Sequence, residues 1–301
     1  MAKPNLSPSK QEAVFQKLAS QTNAADCITD DAGNILAVGF SNHASLAPKG
    51  DSAPGLTDPS LAELATLPHL ETVALQSQPL SDGGYEHLSQ ISQLRAVAIS
   101  QPVFVPGLTH ACVQSLQGKS ETLEALDLDE TEAIENDILP LLYGFPRLRF
   151  LGIDGKQADN SVAEFAEGAE NIEALDLRET TLSDEGLARL LRSLPKLRML
   201  RLGSDGATGI NAWSLRHLTH SSSLEVLDLQ GTAFANLPWA HGLEPLAELP
   251  DLRQLRLPES SEPEAQEAIA KLQAARPDLR IGGDPVNFTD TLGLDWRVGI
   301  L

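Results

Sequence analysis

The chain is short of aromatic residues, cysteine and positive charge, and each shortage removes a class of protein. Aromatic side chains make up 4% of its 301 residues while apolar residues as a whole reach 42%, so Leu, Ile, Val and Ala must fill the core. That composition is expected when one small unit is stacked many times, not when a chain folds around one large enzyme core. With 22 basic against 42 acidic residues, the formal net charge is −20. A phosphate backbone is bound by a basic face, so nucleic acid is a disfavoured partner. The same charge keeps an extended surface in solution and would steer basic proteins towards it. Cys27 and Cys112 have no neighbouring His or Cys at metal-ligand spacing. A disulfide framework or zinc ribbon is thereby excluded as the organising device, and both thiols are expected to be buried apolar groups.

Long apolar runs are missing too. The start, MAKPNLSPSKQEAVFQKLAS, has no apolar stretch after its lysines and does not resemble a secretory signal. No later segment approaches the roughly 18 uninterrupted apolar residues of a membrane span. The expectation is a soluble, cytoplasmic protein without membrane insertion. Local catalytic signatures are equally scarce. The seven histidines, at positions 43, 69, 87, 110, 217, 220 and 241, are scattered, and none is paired in sequence with a Cys or Ser in a nucleophile arrangement. His217 and His220 share a helical face, a weak metal signal. No phosphate-cradling glycine loop, His-Glu-x-x-His or nucleophile elbow occurs. The sequence therefore predicts no enzyme and assigns no catalytic, metal or cofactor-binding residue.

What the sequence does contain is a repeat of the form apolar-x-x-apolar-x-apolar. Its eight copies begin at Leu70, Leu94, Leu123, Leu148, Ile172, Leu197, Leu224 and Leu252, separated by 24, 29, 25, 24, 25, 27 and 28 residues. The last two apolar positions are two apart and so lie on one face of a short strand. Upstream of most copies lie leucines at helical spacing, such as Leu61, Leu64 and Leu67 or Leu187, Leu190, Leu191 and Leu194. Thr57-Asp58, Ser81-Asp82 and Ser183-Asp184 mark helix starts, where side-chain oxygens can accept free backbone N–H groups. Pro68, Pro146, Pro195 and Pro250 mark the ends. Each unit is a helix, a turn and a strand.

Segments such as TLSDEGLARLLRSLPKLRMLRLGSD resemble the units of bacterial leucine-rich repeat proteins of the helix-backed class that includes ribonuclease inhibitor. The resemblance covers roughly residues 28 to 284. It implies an α/β solenoid, a horseshoe with a parallel concave sheet and convex helices, but no particular activity, since members bind unrelated partners. The asparagine that often follows the strand in that family is mostly replaced, by Gln78, Thr131, Thr180 and Thr232. Four segments are expected. Residues 1–54 form an N-terminal cap of helix and hairpin with an insertion loop, and residues 55–260 the eight repeats. Residues 261–284 form a capping half-repeat, and 285–301 a tail. In the tail, Leu292, Leu294, Trp296, Val298 and Ile300 alternate with Gly293, Asp295, Arg297 and Gly299. This is a half-buried strand pattern, either closing the last repeat or adding to a partner's sheet edge.

Equivalent positions in stacked repeats form rows across the sheet. One row alternates in sign from Asp176 through Arg201 and Asp228 to Arg256, an ion-pair ladder. Another places Asp129 beside Asp154, near Asp127 and Asp176, with Arg178 able to pair with Asp154. This acidic patch, with Phe150 and Met199 as adjoining apolar contacts, is a candidate site for a Lys or Arg of a protein partner. The candidate partner-binding residues are thus Asp127, Asp129, Phe150, Asp154, Asp176, Arg178, Met199 and Arg201 on the sheet, and Leu294, Trp296 and Val298 in the tail. Thr72, Ala74, Gln76, Ala96, Ala98 and Ser100 form a smooth neutral surface on which another chain could lie. The predicted function is a non-catalytic protein-interaction module. The alternatives are an assembly subunit and a blocker of a basic protein like ribonuclease inhibitor. The partner's identity and the oligomeric state are not encoded in any pattern recognised here.

Overall fold

A computed structural model describes residues 6–47, 52–101, 108–128, 131, 138–153, 159–178, 180–203, 210, 212–230 and 239–284. The described residues divide into two compact units, one up to residue 148 and one from residue 149 onward.

The first unit opens with helix α1 (Pro8–Ala19), followed by β1 (Ala24–Thr29) and β2 (Ile35–Ser41), an antiparallel hairpin. Strands β3 (Thr72–Gln76), β4 (Ala96–Ser100) and β5 (Ala125–Asp127) then add in chain order, each parallel to the one before. Between them lie α2 (Asp58–Leu64), α3 (Asp82–Tyr85), α4 (Ala111–Ser115) and, after β5, α5 (Leu139–Leu142). The second unit holds β6 (Phe150–Gly152), β7 (Ala174–Asp176), β8 (Met199–Arg201), β9 (Val226–Asp228), β10 (Gln254–Arg256) and β11 (Arg280–Ile281), again consecutive and parallel. Its helices are α6 (Ser161–Ala166), α7 (Asp184–Ser193), α8 (Trp239–Leu243) and α9 (Pro263–Ala275). Both units are stacks of leucine-rich repeats.

The repeat leucines explain the register. Val38, Val73, Val97 and Leu126 pair across four strands, as do Leu151, Leu175, Leu200, Leu227 and Leu255 across five. All are fully buried, because a one-residue slip would turn an entire row of leucines to the other face. The helical segments are short, and several continue or consist of 3₁₀ turns, at Glu86–Gln90, Leu116–Lys119, Ala212–His220 and Glu244–Glu248. A tighter helix spans the fixed distance back to the next strand with fewer residues.

The helix starts are stitched from repeat to repeat. Asp58 accepts from the Ser81 N–H (2.9 Å) and hydroxyl (2.6 Å), and Asp82 from the corresponding Thr109 groups (2.9 and 2.7 Å). Asn160 receives Ser183 in the same way. Room for this comes from glycine. A Cβ on Gly84 would lie 2.5 Å from Asp58 Oδ1, and one on Gly186 would lie 2.1 Å from Asn160 Oδ1. Of the anticipated capping residues, Ser183 accepts from the Gly186 N–H and Thr57 forms a capping box with Ser60, whereas Ser81 makes no cap bond and is held by Asp58 instead.

The turn after the strand is held by the residues that replace asparagine. Gln78 is buried; it donates to the Phe40 and Gln76 carbonyls (3.1 and 3.0 Å) and accepts from the Leu56 N–H (2.8 Å). Thr131 and Thr180 are buried too and donate to the Ile99 and Leu177 carbonyls. Thr232 lies outside the described residues. At the C-terminal end Arg276 donates to the Leu249 and Leu252 carbonyls and pairs with Asp278 at 2.8 Å. Cys112 is buried as expected, with its thiol pushed up to about 12 by desolvation, but Cys27 is only half-buried on β1.

Candidate functional site

Two rows of charge run across the repeats, one just before the strands and one on their outward face. The first lies one residue after the first leucine of each repeat and escaped the sequence-based reading, which followed only the strand positions. It runs Glu71, Arg95, Glu124, Arg149, Glu173, Arg198, Glu225, Arg253, alternating without exception. In the first unit Arg95 pairs with Glu71 at 3.1 Å and with Glu124 at 3.0 Å. In the second, Glu173 joins Arg149 (2.7 Å) to Arg198 (3.5 Å), and Arg198 joins Glu225 (2.9 Å). Alternation turns what would be like-charge repulsion between neighbouring strands into a modest attraction, about 0.2–1 kcal/mol per pair.

The second row is the predicted ladder, confined to the second unit. Arg201 bridges Asp176 (2.5 Å) and Asp228 (3.2 Å), and Arg256 binds Asp228 (2.5 Å) and Gln230. Both aspartates are buried, with side chains 6% and 3% exposed. Asp176 also receives the Arg178 guanidinium at 3.0 Å and its backbone N–H, and Asp228 receives the Gln230 N–H. Arg178 therefore holds Asp176 of its own strand. The pairing foreseen with Asp154 lies outside the described residues, as do Asp129 and Asp154 themselves. Asp127 is half-buried at the end of β5 and is engaged with a neighbouring group.

The apolar part of the predicted patch needs correction. Phe150 and Met199 were expected to offer contacts to a partner; they lie on the same side of their strands as Asp176 and Arg201, but at 4% and 0% exposed they are covered and offer no open apolar contact. The smooth neutral surface is closed as well: Thr72, Ala74, Ala96, Ala98 and Ser100 are all buried, and only Gln76, which accepts from the Ser41 hydroxyl at 2.6 Å, is half-exposed. Strand period tells which side a residue faces, but not what lies over it. Leu294, Trp296 and Val298 lie outside the described residues.

The carboxylates of the first row are tuned. The Arg149 bond holds Glu173 below the usual carboxylate range, and the Arg198 bond does the same to Glu225. A carboxylate whose pKa is depressed on folding stabilises the fold above its unfolded pKa, and that contribution is lost as pH falls through the folded value. Thermal stability is therefore expected to decline as pH drops below about 4.3, the unfolded value for Glu. Glu173→Gln should flatten that decline in a melting-temperature profile from pH 7 to 3. An unchanged profile would show that the row contributes nothing.

On the helical side of the second unit, Trp213 is 46% exposed and stacks on His241 with ring centroids 5.0 Å apart. Beside it Asp184 takes Arg216 (2.9 Å) and His217 (3.2 Å), while His220 turns to the His217 carbonyl. Among the described residues no group of three or more His, Cys, Asp or Glu is placed to hold a metal ion, and no helix is long and apolar enough to cross a membrane.

No protein-family model and no curated protein matches the chain. Among solved structures, internalin C2 from Listeria monocytogenes is similar over 85% of this chain and 98% of its own, at 18% identity and a TM-score of 0.48. The TLR13 chain of a TLR13–ssRNA13 complex is similar over 73% of this chain, at 16% identity and a TM-score of 0.46, and this chain spans 33% of its length.

Proposed function

We propose that the chain is a non-catalytic protein-interaction module whose partner docks on the outward face of the strands. The observation that carries this reading is the locked lattice of Asp176, Arg201, Asp228 and Arg256 on four successive strands, with exposed Gln230 and half-exposed Arg178 beside it. Charges already fixed by mutual pairing lose little freedom on binding, so they supply orientation and specificity at low entropic cost. The acidic residues that follow the repeat leucines in the sequence, Asp127, Asp129 and Asp154, together with the net charge of −20, favour a basic protein over RNA. A ribonuclease-inhibitor-like blocking role is one form of this reading, and a cytoplasmic location fits it.

A second reading, an assembly subunit glued through its helical side, is favoured by exposed Trp213 on His241, since exposed tryptophans are often anchors of interfaces. One experiment separates the two. The purified chain, its Asp127→Lys/Asp129→Lys variant and its Trp213→Ala variant are compared in quantitative capture from native extract. A basic protein retained by the wild type should be depleted at least about ten-fold by the double reversal, the effect of losing roughly 1.4 kcal/mol of binding, and be unaffected by Trp213→Ala. Retention of every captured protein by the reversal variant would remove the acidic surface from the account. Loss only on Trp213→Ala would favour the assembly subunit.

A further inference from the structure

Among the described residues the sheet of the first unit ends at β1, whose one ladder partner is β2. An edge strand carries a row of backbone N–H and C=O groups that no neighbouring strand satisfies. The hairpin fixes which residues carry them. The Asp30 N–H closes it by donating to the Asn34 carbonyl at 3.0 Å, and successive residues of an antiparallel strand turn their backbone groups to opposite sides. Ile28, Asp26 and Ala24 therefore face β2, while Thr29, Cys27 and Ala25 face away from it. One bond agrees with that direction: the Cys27 N–H is taken by the carboxylate next to it, Asp26 Oδ1, at 2.8 Å. Asp26 is exposed, so it plugs the middle of the edge with a charge, a device that keeps sheet edges from joining indiscriminately.

We propose that the free edge of β1 is a docking site for an extended segment of a basic protein, which adds to the sheet as a further strand and sets a Lys or Arg beside Asp26. The backbone supplies the register. Ala25, Cys27 and Thr29 stand roughly 7 Å apart, the spacing of alternate residues in an incoming strand. Charge supplies the sign of the occupant. The Cys27 thiol is pushed up by burial and then by Glu12 of α1 and by Asp26, so the charges that bear on the middle of the edge are both negative. Exposed Asp31 follows at the hairpin, whereas the Asp30 carboxylate is consumed by Ala32 and Asn34. Of the two lysines of α1, Lys17 is held by Glu63 at 2.7 Å, and Lys10, two residues before Glu12, is turned to another side of the helix. A second copy is the wrong occupant, since it would bring Asp26 against Asp26 on chains of net charge −20. With a basic strand the exchange strands no group: the partner's carbonyl takes the Cys27 N–H, and the released Asp26 takes the partner's cation. The site belongs to the first unit and stands whether or not the charged lattice of the second binds a partner.

Amide exchange in the isotope-labelled full chain is the test, with a synthetic peptide of sequence TKVKVKT as the probe. Without peptide, the Ala25 and Thr29 amides should exchange at close to the rate of unstructured chain. With saturating peptide they should slow at least about ten-fold, as amides do when they enter a ladder. The peptide TKPKPKT carries the same charge but has lost two N–H groups and cannot extend a sheet, so it should give no protection. TEVEVET, with the charge inverted, should not bind. Asp26→Lys should weaken binding of TKVKVKT roughly three-fold or more, because an exposed attraction is replaced by repulsion. Slow exchange at Ala25 and Thr29 in the protein alone would overturn the proposal, because the edge would already be covered. So would equal protection by TKPKPKT, which would reduce the effect to charge attraction, and so would undiminished binding of TEVEVET or of TKVKVKT to folded Asp26→Lys protein.

Discussion

Asp228→Ala is expected to destabilise the protein by about 3 kcal/mol in urea unfolding, among the largest effects of any single polar substitution here. Breaking a buried ion pair by removing one partner costs roughly 3–5 kcal/mol, because the other charge is left without compensation in a poorly solvated place. Asp228 sits at 3% exposure between Arg201 and Arg256, so its removal strips both guanidinium groups at once and frees the Gln230 N–H. The figure falls at the lower end of the range because Arg201 keeps Asp176 and Arg256 keeps Gln230. Arg256→Met should cost less, since Asp228 then retains Arg201 and the Gln230 N–H. A loss below about 1 kcal/mol on Asp228→Ala would mean that the ladder is decoration on a sheet held by leucines alone.

Gln78→Leu is expected to cost a similar amount, about 3 kcal/mol, by a different route. Leucine preserves most of the volume, so packing changes little. It leaves the Leu56 N–H and the Phe40 and Gln76 carbonyls without the partners that Gln78 gives them. The Gln76 carbonyl keeps the Asn42 N–H at 2.9 Å, so the cost falls mainly on the Leu56 N–H, and a buried polar group so stranded costs roughly 1–3 kcal/mol. Gln78→Asn should not rescue, because asparagine is one methylene shorter and cannot span three backbone groups set at glutamine's reach. Full stability in Gln78→Asn would show that the turn can contract to meet it.

Both predictions come from positions that the sequence marks unequally. The leucine spacing is the signature of a core, and a core has to repeat for the stack to close, so the strands and their register could be read from residue types, and their parallel order followed from the family resemblance those residues carry. The ladder of Asp176, Arg201, Asp228 and Arg256 was legible for the same reason: a strand with period two places equivalent positions side by side. Gln78 was visible only as a departure from the usual asparagine. Its role emerged once the turn showed which backbone groups it faces. The Glu–Arg row beginning at Glu71 was present at a fixed offset in every repeat, but it precedes the strand and lies outside the period-two pattern that was followed. Burial of Phe150, Met199 and the smooth neutral surface was illegible in principle, because it depends on what other parts of the chain lie above them.

The central claim is that the outward strand face, and not the helical side, meets the partner. Site-specific photocrosslinking tests it most directly, with a photoreactive side chain placed in turn at Gln230, on the strand side and exposed, and at Trp213, on the helical side and 46% exposed. The account predicts a crosslink to a basic protein from position 230, abolished by competition with the unmodified chain, and none from position 213. A crosslink from position 213 with none from position 230 would contradict it.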